Sequence, residues 1–366
     1  MMLDIAGPDY SGACVNNIIP ALTQHKEIGE GWISNEVLTS NQVVLLVLDG
    51  LGYKQYFRYK HLLPSIADFT ENVISTVFPT TTATALTSIT TGTTPGEHGI
   101  VGYKIRVGTQ TLNALRWTTE SGPASDVIDP QQFQPIVPFN GESPTVVSPA
   151  EFATGGFTAA HLRHSNYAGY WMASSIAAEI GDALRTGNSF VYAYYDGLDK
   201  IGHIKGFGPH YEAELRQINH IVQSVVEELP RGAALVITAD HGMVQIGENL
   251  TQISPDILNM STGISGEARF VWLHAKEGRV KDVIDAASEA HGDIATVFPV
   301  EALVDNCWFG RDISETARAR LGQVALVVHS ETALVVDKKS GPNLVARHGS
   351  ITDEEKLVPL LSLKNS

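Results

Sequence analysis

The hydrophobic pattern of the chain changes period several times, and each change predicts a different element. Val43-Val44-Leu45-Leu46-Val47-Leu48 is an unbroken aliphatic run closed by Asp49-Gly50. A run of this kind, with no polar alternation, predicts a strand covered on both faces, as in a parallel sheet. Phe190 to Tyr195 and Ala233 to Thr238 repeat the pattern. The first of these ends near Asp196 and Asp199, the second at Asp240-His241-Gly242. Between and after them, Ala168 to Leu184 and Pro209 to Leu229 carry apolar residues near helical spacing and are read as helices. Strands alternating with helices predict an α/β fold, a layered α/β/α domain with a mostly parallel central sheet. In such sheets ligands bind beyond the carboxyl ends of the strands, which is where these acids fall.

Two stretches break the rhythm. Residues 104–150 are rich in Pro, Gly, Ser and Thr and read as a long surface connection. Residues 268–340 mix short strand-like runs, Phe270 to Leu273 and Val324 to Val328, with a helical stretch around Val280 to Ala290. They read as a small inserted cap, 268–340, in a core made of 1–267 and 341–366. Neither an internal repeat nor a low-complexity tract is present.

Composition narrows the function classes. With 43% apolar and 18% charged residues the 366-residue chain has ample material for a core. A net charge of −15 argues against a protein that coats nucleic acid. Two cysteines, Cys14 and Cys307, exclude a disulfide scaffold and a cysteine-built zinc site. The N-terminal stretch has no basic region followed by an apolar run, and no apolar run is long enough to span a bilayer. The expectation is a cytoplasmic protein with a small-molecule partner and no membrane partner.

Five groups carry chemistry. Asp49 follows the first buried strand, although Asp-Gly also serves as a simple turn. Phe78-Pro79-Thr80-Thr81-Thr82-Ala83-Thr84-Ala85 places threonines at a candidate helix start, where they serve as an N-cap or as a hydroxyl facing an anion. Asp199 and His203 stand four apart, a surface pair or two donors to one ion. Adjacent Asp240 and His241 at a buried strand end are costly to bury unpaired, which a shared metal would relieve. His348 precedes a Thr352-x-x-Glu355 pattern that reads as a capping box but does not account for the histidine. His61, His98, His161, His164, His210, His220, His274 and His291 have no comparable setting and are read as surface or core residues. Tyr192, Tyr194 and Tyr195 are read as strand packing, and Phe157 and Trp171 as core in preference to a pocket lining.

In this order the motifs resemble the alkaline phosphatase superfamily, in its nucleotide pyrophosphatase/phosphodiesterase branch. The likeness covers 43–103, 190–243 and 347–360. It implies a metal-dependent hydrolase of phosphodiester or pyrophosphate bonds in nucleotide-type phosphate esters. Thr82 matches the nucleophile, ten residues before Gly92, with Thr81 the alternative if the register shifts by one. The likeness further implies two divalent ions, zinc or alternatively manganese. Asp49, Asp240 and His241 match the ligands of the ion that also takes Thr82. Asp199, His203 and His348 match those of the other, and Asp196 receives no ligand role. Where the branch commonly has an asparagine after H-G-I-V, this chain has Tyr103 after His98-Gly99-Ile100-Val101-Gly102, so the Tyr103 hydroxyl becomes the candidate substrate donor. A phosphomonoesterase or phosphonate hydrolase, using Lys104 or Arg106, is the alternative within the superfamily. A binding module without activity is disfavoured by the complete ligand set. No C-x-P-x-R sulfatase signature is present.

Overall fold

The computed structural model describes residues 7–338 and 343–366. Residues 1–6, part of the N-terminal stretch considered above, and the cap boundary at 340–341 lie outside the described residues. The central sheet has seven strands in the order Thr70–Ser75, Leu357–Lys364, Ala234–Thr238, Val43–Leu48, Phe190–Tyr195, Thr145–Pro149, Asn166–Tyr170. The five from Ala234–Thr238 to Asn166–Tyr170 run parallel. The last strand in sequence, Leu357–Lys364, is antiparallel to both of its neighbours. Val43–Leu48 lies mid-sheet, in register Val47 to Thr238 on one side and Leu48 to Tyr195 on the other. All six of its residues are buried, as the unbroken aliphatic run requires.

Because these strands run the same way, their carboxyl ends deliver Asp49, Asp196 and Asp240 to one edge of the sheet. Helices Gly197–Lys205 and Pro209–Glu228 follow the strand Phe190–Tyr195. The long one buries Tyr211, Leu215, Ile218, Ile221, Val222 and Val225, a helical stripe against the core.

A second, antiparallel sheet of eight strands has the order Ala295–Pro299, Val324–Val328, Phe270–Ala275, Ser261–Glu267, Lys104–Val107, Gln110–Asn113, Thr118–Thr119, Gly122–Pro123. Its hairpin Ser261–Glu267/Phe270–Ala275 crosses residue 268, the position at which the sequence reading starts the cap. The helix in this region is Val280–His291.

Three expectations differ from the structure. Residues 104–150 are not a bare surface connection. They supply four strands to the second sheet and Thr145–Pro149 to the first. These strands have two to five residues each, too short for alternation to register. Ala168 to Leu184 is not one helix. Asn166–Tyr170 pairs in parallel with Thr145–Pro149, and the helix starts only at Ile176. Sheet pairing outweighs the mild helical spacing there, and Trp171, expected in the core, is 85% exposed. The Thr352–Glu355 pattern does start a helix, Asp353–Lys356, but without the expected capping box: the Thr352 hydroxyl caps no backbone N–H and donates to Glu355 Oε2 at 2.6 Å. The Glu355 carboxylate is fully buried and takes a bidentate pair from Arg269 at 2.7 and 2.9 Å. Among the described residues no helix is long and apolar enough to cross a membrane.

Candidate metal centre

Two tight backbone approaches let the strand ends converge. Gly50, at φ +76°, faces the helix of Asp199; a Cβ there would lie 3.1 Å from the Asp199 Cα. Gly242 packs against the Glu354 carbonyl, which a Cβ would meet at 2.0 Å. A larger residue at Gly50 would press on Asp199, and one at Gly242 would collide with the backbone of Glu354 and Gly52.

The turn that leads into Thr82 is pinned to the C-terminal loop. The Thr80 hydroxyl donates to the Ser350 carbonyl at 2.7 Å and accepts the Gly349 N–H at 3.1 Å. Thr82 opens the helix Thr82–Thr91, so its side chain stands where the unpaired N–H groups and the helix dipole favour an anion. Its hydroxyl lies 3.0 Å from His241 Nε2.

Around that hydroxyl the structure gathers Asp49, Asp199, His203, Asp240, His241 and His348. His241 Nε2 is 3.4 Å from Asp49 Oδ1 and 3.3 Å from Asp240 Oδ2. Asp199 Oδ1 is 3.3 Å from His203 Nε2 and 3.8 Å from His348 Nε2. Ligand atoms of Asp49, Asp240 and His241 fall within 4.8 Å of one another, the trio expected from the sequence. The second such trio is Asp199, His241 and His348, with His241 shared between the two and His203 alongside through Asp199.

Each histidine is aimed by a backbone carbonyl. His203 Nδ1–H donates to Ala346 O at 2.7 Å, His348 Nδ1–H to Thr80 O at 2.9 Å and His241 Nδ1–H to Gly242 O at 3.1 Å. These bonds fix the tautomer and leave three Nε2 lone pairs turned inward, the arrangement typical of metal-ligating imidazoles. The carboxylates are anchored in the same one-sided way. Asp240 Oδ1 accepts the N–H groups of Gly50 and His241 at 3.2 and 3.0 Å. Asp49 Oδ2 accepts the Tyr194 hydroxyl. Their other oxygens, Asp240 Oδ2 and Asp49 Oδ1, have no hydrogen-bond partner, and neither does Asp199 Oδ1.

The electrostatics of the bare residues is frustrated. Burial, then the Asp240 and Asp199 charges, hold the Asp49 carboxyl well above the usual range against the Tyr194 hydrogen bond. Burial raises Asp199 and Asp240 as well, with His203 and His241 respectively opposing it. His348 is pushed well below an ordinary histidine by burial and by the neighbouring His241 and His203. Three inward carboxylate oxygens without partners beside three inward imidazole nitrogens are satisfied together by cations. Oxygen and nitrogen donors of this mix suit zinc or manganese. The residues present fit a divalent-metal centre.

A model of the type I phosphodiesterase / nucleotide pyrophosphatase family matches residues 43–351. The chain belongs to that family. It is a hydrolase of the phosphodiesterase/nucleotide pyrophosphatase type, in a metal-dependent family that acts on small nucleotide and phosphate-ester substrates. No curated protein sequence matches it. Among solved structures its fold is similar to mouse ectonucleotide pyrophosphatase/phosphodiesterase 5, in an inactive threonine-to-alanine variant in complex with AMP. That match has a TM-score of 0.66 and 17% identity over 88% of this chain and 87% of the other. The human protein of the same name gives a TM-score of 0.63 at 17% identity, over 87% of each chain.

Beside the metal centre of this phosphodiesterase-family chain lies a cavity of about 470 Å³. Asp49, Thr82 and Asp199 form one wall. The rest comes from Leu86, the 115–116 turn, residues 148–162, and the strand and helix spanning 192–200; none comes from 268–340. Tyr103 does not line it, and its hydroxyl accepts from Asn113 Nδ2 at 2.7 Å. Lys104 pairs with Gly266 in the second sheet, and Arg106 Nε donates to Gly108 O. The cations at the cavity are instead Arg116 and Lys200, the latter held by Asp196 Oδ2 at 2.7 Å. Lys200 lies inside the Asp199–His203 motif and was within reach of sequence reading. His161 was not, and Phe157, a pocket residue or core from sequence, could be placed at the cavity only by the fold that turns 148–162 toward the site.

Proposed function

We propose that this chain hydrolyses phosphodiester or pyrophosphate bonds of nucleotide-type substrates, with Thr82 as nucleophile and a covalent phospho-threonine intermediate. The carrying observation is the Thr82 hydroxyl at a helix N-terminus, 3.0 Å from His241 Nε2 and amid partnerless inward carboxylate oxygens. Two ions, zinc or alternatively manganese, would be held by Asp49, Asp240 and His241 with Thr82, and by Asp199, His203 and His348. Bound there, divalent ions supply Lewis acidity that makes a hydroxyl or a water nucleophilic at neutral pH.

Thr82 Oγ1 gives its proton to solvent and forms a bond to phosphorus, while the bond from phosphorus to the leaving oxygen breaks and that oxygen takes up a proton from solvent. The freed alcohol or phosphate departs, and a water then cleaves the Thr82 ester, returning the hydroxyl and releasing the product. The helix N–H groups beside Thr82 stabilise charge on the phosphoryl oxygens. Burial keeps His241 and His348 neutral, so their Nε2 atoms stay available as donors of lone pairs. Tyr194 and the Gly50 N–H hold Asp49 and Asp240 in place.

The family match favours a diester or pyrophosphate substrate over a monoester, and the AMP bound to the mouse protein of similar fold supports a nucleotide-type one. The test is a ratio: kcat/KM for bis-p-nitrophenyl phosphate over that for p-nitrophenyl phosphate after reconstitution with Zn²⁺. A ratio well above one is expected. A ratio well below one would make the enzyme a monoesterase, and hydrolysis of neither would remove the catalytic reading.

A further inference from the structure

The cavity beside the candidate metal centre is also lined by a histidine that the mechanism above does not use. His161 ends the short helix Gly156–His161 and is 4% exposed. Its ring lies on that of Phe157, with centroids 3.9 Å apart and planes 20° from parallel. Its Nδ1 is 2.7 Å from the Phe157 carbonyl. A carbonyl only accepts, so Nδ1 carries the proton and Nε2 is a bare acceptor. Among the described residues Nε2 has no partner, and the residue lines the cavity. Burial pulls its pKa down to about 4, so the ring is neutral at physiological pH and offers a lone pair there, not a charge.

Most of the surroundings are apolar. Leu86, one helical turn beyond Thr82, and Leu162, Phe152 and Phe157 line the same space. Tyr192 adds a buried polar atom without a partner, its hydroxyl. The volume is that of an ordinary small-molecule pocket. A partnerless acceptor on a cavity wall asks the ligand that displaces water from it for a donor.

We propose that His161 is a specificity-determining residue, its Nε2 accepting a hydrogen bond from an N–H or O–H group on the organic part of the substrate next to the scissile phosphorus. The favoured class is a flat, largely apolar ring bearing an N–H at its edge, lying between the phosphoryl site and the Phe157–His161 stack. This rests on the diesterase reading above. A site built around such a bond rejects the analogue that lacks the donor, because the acceptor is then buried unpaired.

The experiment compares two substrates on the zinc-reconstituted full chain, the p-nitrophenyl ester of thymidine 5′-monophosphate and its N3-methyl analogue. The expected kcat/KM ratio is about tenfold or more in favour of the N–H substrate. The same ratio is then measured in His161→Phe, which keeps a ring on Phe157 but removes the acceptor, and in His161→Gln, which supplies another acceptor. The ratio should collapse toward one in the first variant and recover in part in the second. A wild-type ratio within twofold of one overturns the proposal. So does a large ratio that persists in His161→Phe, since that would report the bulk of the methyl group and not the bond. Cleavage of both esters without discrimination leaves the diesterase reading standing, whereas cleavage of neither removes that reading and this one with it.

Discussion

The imidazole of His241 lies flat on that of His348, with ring centroids 3.6 Å apart and planes 14° from parallel. One ring follows the central strand Ala234–Thr238 and the other sits in the loop after Ala346–Arg347, more than a hundred residues later. The stack joins the two candidate ion sites, because His241 faces Asp49 and Asp240 while His348 faces Asp199. Two neutral rings can stack this closely, but two protonated ones would repel, in line with the lowered pKa of both. The centre is therefore built to work with both imidazoles unprotonated, as lone-pair donors.

Removing the Thr82 hydroxyl should eliminate the nucleophile without dismantling the cluster. Thr82→Ala is expected to lower kcat by about 10³-fold or more. Bound zinc, measured by atomic absorption after dialysis, should change little, because six other donors remain. Full activity in this variant would point to Thr81 or to direct attack by water.

Tyr194 acts on the metal centre only through Asp49. Its hydroxyl holds Asp49 Oδ2 and leaves Oδ1 turned inward. Tyr194→Phe should weaken zinc affinity by about 10- to 100-fold in a competition titration with a chromophoric chelator. At saturating zinc much of kcat should return. An unchanged affinity would mean that packing alone fixes the carboxylate.

Metal removal should also show in stability. An ion that binds only the folded state adds about 2.7 kcal/mol at a hundredfold excess over its dissociation constant. Exhaustive chelation is therefore expected to lower Tm by several degrees and to abolish activity, with Zn²⁺ or Mn²⁺ restoring both. A melting curve indifferent to chelator and metal would count against an ion at this cluster.

Arg269 and Glu355 form an ion pair that is wholly buried on both sides. Arg269 also donates to the carbonyls of Ser330 and Thr332, and the Glu355 carbonyl accepts the N–H of Gly242 beside His241. Arg269→Ala strands a buried carboxylate and should cost about 3–5 kcal/mol in denaturant unfolding. A paired replacement, Arg269→Met with Glu355→Leu, should cost clearly less. Equal losses in the two would show that packing, and not the unpaired charge, sets the penalty.

His98 makes stability acid-sensitive. Burial, and then the Arg320 charge, lower its pKa to about 3 in the folded chain, against an ordinary 6.5. Between those values the unfolded chain binds the proton and the folded one does not. Its contribution is thus complete above pH 6.5 and is lost as pH falls toward 3, by up to about 1.4 kcal/mol per pH unit. Unfolding midpoints of the wild type and His98→Gln, taken from pH 7 to 4.5 at fixed metal, should converge on acidification. Parallel curves would mean that other groups set the acid response.

The three central strands were legible because a strand buried on both faces leaves an unbroken apolar run. Val43–Leu48 and Phe190–Tyr195 coincide with that expectation. Asp49, Asp199, His203, Asp240 and His241 were legible for a related reason: they sit just past such runs. His348 and Thr82 needed the ordered resemblance, since a lone histidine in a loop and one threonine among many carry no pattern of their own. The substrate wall was not legible. Phe157 and His161 lie in a stretch of short, irregular elements, and only the parallel pairing of Thr145–Pro149 with its neighbours carries that stretch to the carboxyl edge of the sheet. Tyr103 failed to point to the cavity because its hydroxyl is engaged by Asn113 within the second sheet. The four-residue strands there, Lys104–Val107 and Gln110–Asn113, are too short for a hydrophobic period to reveal it.

The most direct measurement is a rapid quench of the zinc-loaded enzyme during turnover of bis-p-nitrophenyl phosphate, followed by peptide mass spectrometry. The account predicts a phosphoryl ester on Thr82 that appears within one turnover and is absent from Thr82→Ala. Steady turnover with no adduct on Thr82 under conditions that trap such esters would contradict it.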